Sequence, residues 1–154
     1  MTGRTYIWLL RISMLLVTAC TVTACSDDRT TKVEAIDVRD WKAVAESATE
    51  SAVAKGERLF QMCSSCHGFE KGELSPAGPS LYGIAGRKVG SLDSYPYTQA
   101  LASQTVNWTV KQFDDFIASP QDVFPGTGMA YSGLKNSEDR DALIIFLATK
   151  ALER

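Results

Sequence analysis

The chain has 154 residues, a formal net charge of −2 and a hydrophobic share of 45 %. These values fit one domain of ordinary size with a leader in front of it. They leave no basic surface of the kind that nucleic-acid binding requires, so we expect no nucleic-acid partner.

The first 24 residues have the pattern of an export signal. Arg4 and Arg11 precede a run of apolar or small residues from 12 to 24, and a positive segment before a short apolar one is typical of a signal peptide. An uncleaved membrane anchor is the less favoured alternative, because a span needs about 20 apolar residues and Arg11 interrupts the longer run. The sequence therefore predicts a signal peptide over residues 1–24.

The end of this leader resembles a bacterial lipobox, in which apolar and small residues precede a cysteine that receives lipid. Val22-Thr23-Ala24-Cys25 fits the pattern, and an earlier match ends at Cys20. Cys25 is the preferred lipidation site, because cleavage before Cys20 leaves little apolar sequence after the last arginine. Ordinary cleavage with Cys25 as a spare thiol is the alternative. We expect a lipid-anchored protein on the periplasmic side of a membrane in the bacterial cell envelope.

Residues 25–50 are predicted to form a flexible tether that is helical in part. Residues 26–39 are polar and mixed in charge, without an apolar period. Residues 41–54 are richer in Ala and Glu and carry apolar residues at helical spacing. We expect Trp41 to pack on the domain, which is predicted to span residues 51–154.

Two helices are predicted at the ends of this domain. The first contains Gly56, which costs about 1 kcal/mol relative to alanine, so another helix is expected to cross closely there. The last helix is predicted over residues 137–149, with Ser137 at its start and acidic residues in its first turn. Leu143 and Phe146 belong to an apolar stripe on that helix. The two terminal helices are therefore expected to cross at Gly56.

The chain between the terminal helices is predicted to be mostly loop with short helices. Residues 97–103 and 109–118 are predicted as helices, and Thr109 is suited to cap the second. The segment that begins at Pro125 is a stiff, glycine-containing loop that presents Met129.

Cys63-Ser64-Ser65-Cys66-His67 is the pattern for covalent attachment of haem. One helical turn presents both thiols to a single porphyrin, and the next residue offers an imidazole to the iron. A redox CxxC motif is expected in an α/β setting, which the predicted elements lack. A zinc site needs about four ligands, usually Cys and His, and the predicted domain offers only Cys63, Cys66 and His67. The sequence therefore predicts one covalently bound haem c with His67 as an iron ligand.

The second iron ligand is sought by elimination. His67 is the single histidine, so a bis-histidine haem within one chain is excluded. Met62 directly precedes the attachment motif and lies on the same side of the ring as His67. Met129 is the remaining methionine outside the leader and is favoured as the second ligand. The alternative is that Met129 fills the core and the sixth position is open or binds lysine or water.

From about residue 54 to residue 152 the chain resembles the small monohaem cytochromes c of the mitochondrial and bacterial soluble type, class I. Gly56 and Phe60 match the first helix of that family. Pro125-Gly126-Thr127-Gly128-Met129 resembles its Pro-Gly-Thr-Lys-Met ligand loop. The resemblance implies an all-α fold, with three to five helices wrapped around one covalently attached haem.

The resemblance also implies roles for individual residues. Pro79 matches the proline whose carbonyl receives the second N–H of the ligand histidine. Four donors match the residues that bind the haem propionates, which are costly to bury unpaired. These four are Arg87, Tyr97, Trp108 and Thr127. Phe116 and Leu101 depart from a tyrosine and an asparagine that are common in the family, and this departure implies a drier pocket near the methionine.

The function that the resemblance implies is electron transfer, without enzyme activity. Expected partners are respiratory complexes (a quinol–cytochrome c oxidoreductase or a terminal oxidase) or a photosynthetic reaction centre. The protein itself is expected to be a monomer. A permanently docked haem subunit of a larger oxidoreductase is an alternative. A peroxidase or gas-binding protein is less favoured, because the chain lacks a second histidine for acid–base work. From Glu50 onward there are ten basic and twelve acidic residues, so a tether is expected to replace electrostatic steering.

Overall fold

The computed structural model describes residues 40–73 and 77–152. The predicted signal peptide, both candidate lipidation cysteines and most of the predicted tether lie outside the described residues. The described part contains six helical segments and otherwise turns and loops, with one isolated β-bridge between Lys88 and Asn107. The helices are α1 (residues 40–46), α2 (Glu50–Ser64), α3 (Gln99–Ala102), α4 (Val110–Ala118), α5 (Pro120–Val123) and α6 (Ser137–Leu152). The all-α class is confirmed, and none of these helices has the length and apolar character needed to cross a bilayer.

Helices α2 and α6 cross at Gly56, as the sequence predicts. A Cβ atom at Gly56 would lie 2.1 Å from the carbonyl oxygen of Ala142 and 2.5 Å from the Cβ of Phe146. The rings of Phe60 and Phe146 meet beside this point at 5.6 Å, and both are 1 % exposed. At the rim, Lys55 pairs with Asp139 at 2.7 Å. The crossing therefore needs a residue without a side chain, because backbone fills the space.

Residues 41–54, where the spacing of apolar residues suggested helix, are divided between α1 and α2. The side chain of Ser47 donates to the carbonyl of Val44 at 2.8 Å, and Thr49 accepts the N–H of Ala52 at 3.2 Å. These hydroxyl groups compete with helical backbone bonds, which ends α1 and starts α2. Trp41 is fully buried in the core. The packed unit thus includes α1, which precedes the predicted domain boundary at residue 51.

The start of α6 is capped by a residue other than the one predicted. Asn136 Oδ1 accepts the N–H of Asp139 at 3.1 Å, so Asn136 takes the capping role that the sequence suggested for Ser137. At the start of α4, Thr109 accepts the N–H of Gln112 at 2.9 Å, which confirms the predicted cap.

A short helix that the sequence analysis did not predict follows α4 directly. Pro120 begins the further short helix α5, where the missing N–H of a first helical residue costs nothing. The separate helix α1 and this extra helix together explain why six segments are seen in the described residues, more than the three to five that were predicted. Helix α5 leads directly into the loop that carries Met129.

Candidate functional site

The attachment motif lies at the end of α2 and in the turn that follows. The N–H groups of Cys66 and His67 both donate to the carbonyl of Cys63, at 3.0 and 2.9 Å. The two cysteines and the histidine therefore belong to one continuous turn. Cys63 is half-buried against the core, Cys66 is exposed, and neither forms a disulfide.

The thiol chemistry does not favour a redox CxxC pair. Burial, and secondarily the neighbouring Cys66, raises the pKa of Cys63 to about 11. A reactive redox cysteine needs the opposite shift, because the thiolate is the nucleophile. Within the described residues, no group of three or more His, Cys, Asp and Glu side chains is arranged to hold a metal ion.

The ring of His67 is oriented by a single strong hydrogen bond. Its Nδ1 donates to the carbonyl of Pro79 at 2.7 Å. Burial lowers the pKa of His67, and the bond to Pro79 acts in the opposite direction. The neutral imidazole therefore carries its proton on Nδ1, which leaves the lone pair of Nε2 available to a metal.

One face of the His67 ring rests on the backbone of Gly78. A Cβ atom at Gly78 would lie 2.4 Å from Cε1 and 2.7 Å from Nδ1 of the imidazole. The N–H of Gly78 donates to the carbonyl of Cys66 at 2.8 Å, and Leu81 donates to Gly68 at 2.8 Å. These bonds bring the loop against the motif, so any side chain at position 78 displaces the ring. The sequence marked Gly78 only through its proline neighbour, since steric contact between residues eleven positions apart leaves no local pattern.

The loop that presents Met129 is held by its own backbone. The N–H of Thr127 donates to the carbonyl of Phe124 at 2.9 Å across a turn in which Gly126 has φ +86°. The N–H of Met129 donates to Thr127 Oγ1 at 3.4 Å, and Thr127 is buried. The side chain of Met129 is half-buried and packs against the core. The thioether is therefore presented from a defined loop.

Gln121 braces this loop from α5, and sequence reasoning missed it. Its Nε2 donates to the carbonyl of Thr127 at 3.0 Å, and its Oε1 accepts the N–H of Gly126 at 3.4 Å. Both ends of one amide thus bind the turn that precedes Met129. Only the helical conformation of α5 brings the amide into reach, and that helix was not predicted.

Three of the four predicted propionate ligands lie together. The backbone N–H of Trp108 donates to the carbonyl of Arg87 at 2.8 Å. Burial raises the pKa of Tyr97, and the nearby Arg87 guanidinium acts in the opposite direction. Thr127 lies on the methionine loop instead. The two groups are joined by Phe124, whose ring packs edge-on against Trp108 at 6.1 Å.

The surroundings of Arg87 fit an anionic cofactor group. Its Nη atoms donate to the carbonyls of Ser80 and Tyr82, each at 2.9 Å, while its buried Nε has no hydrogen-bond partner in the described part of the chain. Burial lowers the pKa of Arg87, and none of the ion pairs between described residues includes it. A buried guanidinium without a carboxylate is costly. A propionate satisfies it, so the residues present fit a haem.

Comparison with known proteins decides the family. The family model for cytochrome c matches residues 53–150. The chain belongs to the cytochrome c family. A cytochrome c from Arabidopsis thaliana is 38 % identical over 105 residues, which cover 68 % of this chain and 94 % of the relative. A cytochrome c from Cochliobolus lunatus is 40 % identical over 94 residues (60 % and 87 %), and a cytochrome c2 from Agrobacterium tumefaciens (strain II Chrys) is 37 % identical over 105 residues (66 % and 95 %).

Membership of the family settles the cofactor and the class of activity. This cytochrome c carries one covalently attached haem c and is an electron-transfer protein, not an enzyme. The haem, when bound, supplies an iron that accepts and releases one electron. Helix α1 precedes the residues that the family model matches and is an addition to that core.

The two departures from the family pattern place apolar side chains in the core of this cytochrome c. Phe116 and Leu101 are both buried. The Phe116 ring contacts Trp108 at 5.1 Å and Phe124 at 5.6 Å. Aromatic carbon thus fills the space beside the methionine loop, where a hydroxyl or amide would need a hydrogen-bonded partner.

We expect Phe116→Tyr to destabilise methionine ligation at high pH. The added hydroxyl needs a partner in this apolar layer and recruits water, so the methionine should be displaced at a lower pH than in the parent. Spectral titration of the oxidised protein measures the transition. Phe113→Tyr, a buried phenylalanine of the same helix that packs against Trp41, is the control. A transition that Phe116→Tyr leaves unchanged contradicts the drier-pocket hypothesis.

Proposed function

We propose that this cytochrome c is a membrane-tethered carrier that moves single electrons between redox complexes on the periplasmic side of a bacterial membrane. The observation that carries the proposal is the presentation of Met129 from a braced loop in a chain whose single histidine is already oriented by Pro79. Two filled axial positions leave the iron without a site for substrate, which suits electron transfer.

The residue roles belong to this proposal. Cys63 and Cys66 form the thioether bonds, and His67 and Met129 are the axial ligands. Pro79 orients the histidine through its carbonyl. The propionates are bound by the donors defined above, namely Arg87, Tyr97, Trp108 and Thr127.

The tether is supported by the sequence before the matched region. Residues 1–24 have the signal pattern and Cys25 ends the lipobox-like segment. Lipid chains contribute about 0.8 kcal/mol of membrane attachment for each buried CH₂, so several chains hold a protein durably. Attachment raises the local concentration of the carrier beside membrane complexes, and this effect does not depend on its surface charge.

The tether is tested by mass spectrometry and fractionation of the mature protein. We expect one haem, cleavage before Cys25 and acylation of that cysteine, with the protein in the membrane fraction. The Cys25→Ser variant should keep its haem and lose membrane attachment. A variant that stays in the membrane fraction contradicts the lipid anchor and favours the uncleaved leader.

Electron transfer to the partner is expected to depend weakly on ionic strength. With ten basic and twelve acidic residues from Glu50 onward, long-range attraction between the carrier and an acidic partner is small. The measurement is the rate with a quinol–cytochrome c oxidoreductase, a terminal oxidase or a photosynthetic reaction centre between low and high salt. Asp122→Lys, a change at an exposed position, should steepen the dependence. A steep fall with salt in the parent counts against the proposal, and stoichiometric copurification with a complex favours a docked subunit.

A further inference from the structure

Helix α1 places Trp41 in the core, against the backbone of Trp108. Trp41 is fully buried, and its ring packs edge-on against Phe113 at 5.6 Å. Its indole N–H donates to the carbonyl oxygen of Trp108 at 2.7 Å, across 67 residues of sequence. Trp41 precedes the residues matched by the family model, so this contact is an addition to the common core.

The carbonyl of Trp108 is also part of the backbone that carries Arg87. It accepts the N–H of Gly86 at 3.1 Å, and the N–H of Trp108 donates to the carbonyl of Arg87 at 2.8 Å. Trp41 is therefore a second donor to the same Trp108 carbonyl that pairs with the turn at Gly86 and Arg87. A shift of this backbone moves both the indole of Trp108 and the guanidinium of Arg87.

The Arg87 side chain has little freedom to compensate for such a shift. Its two Nη atoms are committed to the carbonyls of Ser80 and Tyr82, and its Nε is buried without a partner in the described residues. A buried ion pair is stabilising only when its geometry is good. The position of the backbone at Arg87 therefore decides how well the guanidinium meets a carboxylate.

We propose that Trp41 is a positioning residue for Arg87 and Trp108, through which the N-terminal extension sets the electrostatic environment of the haem propionates and so the reduction potential. The inference rests on the proposed propionate-binding role of Arg87 and Trp108. A guanidinium held against a carboxylate offsets its negative charge. When the guanidinium is held less well, the uncompensated charge favours the oxidised iron and the potential falls.

The test uses Trp41→Phe in the full-length holoprotein, because phenylalanine keeps an aromatic ring and deletes the N–H. We expect the reduction potential to fall relative to the parent. We also expect amide hydrogen exchange at Gly86 and Trp108 to accelerate by up to about tenfold, the loss of one net hydrogen bond. Leu143→Ala in α6 is the control for general destabilisation, and it should lower the unfolding temperature without lowering the potential.

Two results overturn the inference. One is an unchanged potential in Trp41→Phe, whatever its exchange rates, and the other is an equal fall of potential in Leu143→Ala. Trp108→Phe separates this inference from the proposed propionate role. If Trp108→Phe shifts the potential and Trp41→Phe does not, the positioning role fails alone. If neither Trp108→Phe nor Trp41→Phe shifts the potential, the propionate role of Trp108 fails together with the positioning role.

Discussion

Replacing Met129 with leucine is expected to open the second axial position of the iron while the protein remains folded. Leucine has a similar volume and no sulfur, and a swap of this kind usually costs less than about 1.5 kcal/mol. The loop keeps its shape because Gln121 and Thr127 brace it through backbone atoms. The reduction potential should fall by a sizeable fraction of the roughly 0.8 V range that axial ligands span.

Three measurements check this result. The oxidised variant should lose the weak red absorption band of methionine-ligated iron, the reduced variant should gain carbon monoxide binding, and the potential should fall. Met62→Leu is the matched control, because Met62 is 49 % exposed and directly precedes the attachment motif. It should leave all three properties unchanged. A Met129→Leu protein with the parent spectrum would show that another residue, or none, fills the sixth position.

Gly56→Ala is expected to destabilise the protein although alanine is the better helix former. The gain in helix propensity is about 1 kcal/mol. The added Cβ would meet the Ala142 carbonyl at 2.1 Å, which is backbone and cannot rotate away. Overpacking typically costs about 1–3 kcal/mol and occasionally more, so we expect the steric cost to exceed the propensity gain. The unfolding temperature should fall by roughly 4–8 °C for each net kcal/mol.

The control for this prediction lies on the same helix. Ala54 is exposed, so Ala54→Gly reports the propensity effect alone and should cost roughly 0.5–1 kcal/mol. Thermal unfolding of both holoproteins gives the comparison. If Gly56→Ala unfolds at or above the parent temperature, the close approach of α2 and α6 is wrong.

The features that were predicted correctly depend on residues that are close together in the sequence. Thr109 precedes an apolar helix at capping distance, and the structure has that cap. Gly56 is anomalous inside a helix, and an anomaly of this kind indicates a neighbour at close range. The all-α class followed from the resemblance, which depended on motifs of a few consecutive residues. Each of these signals is complete within one turn or one loop.

The features that were missed depend on groups far apart in sequence or on competition between neighbours. The bond from Trp41 to the Trp108 carbonyl spans 67 residues, and no sequence pattern near either residue predicts it. Gln121 reaches the methionine loop only because α5 is helical, and no helix was predicted at Pro120, where α5 begins. At α6, Asn136 and Ser137 are both good caps, and the choice between them is made by backbone geometry.

The crossing at Gly56 also has a consequence for the order in which the molecule opens. It holds the two terminal helices of the domain together, so the chain between them is a loop with both ends fixed. Segments between these helices can unfold locally while the helices stay packed, because local unfolding needs less free energy than global unfolding. The turn before Met129 is held by an exposed glutamine and a few backbone bonds. We therefore expect its amides to exchange with solvent long before those of α2 and α6.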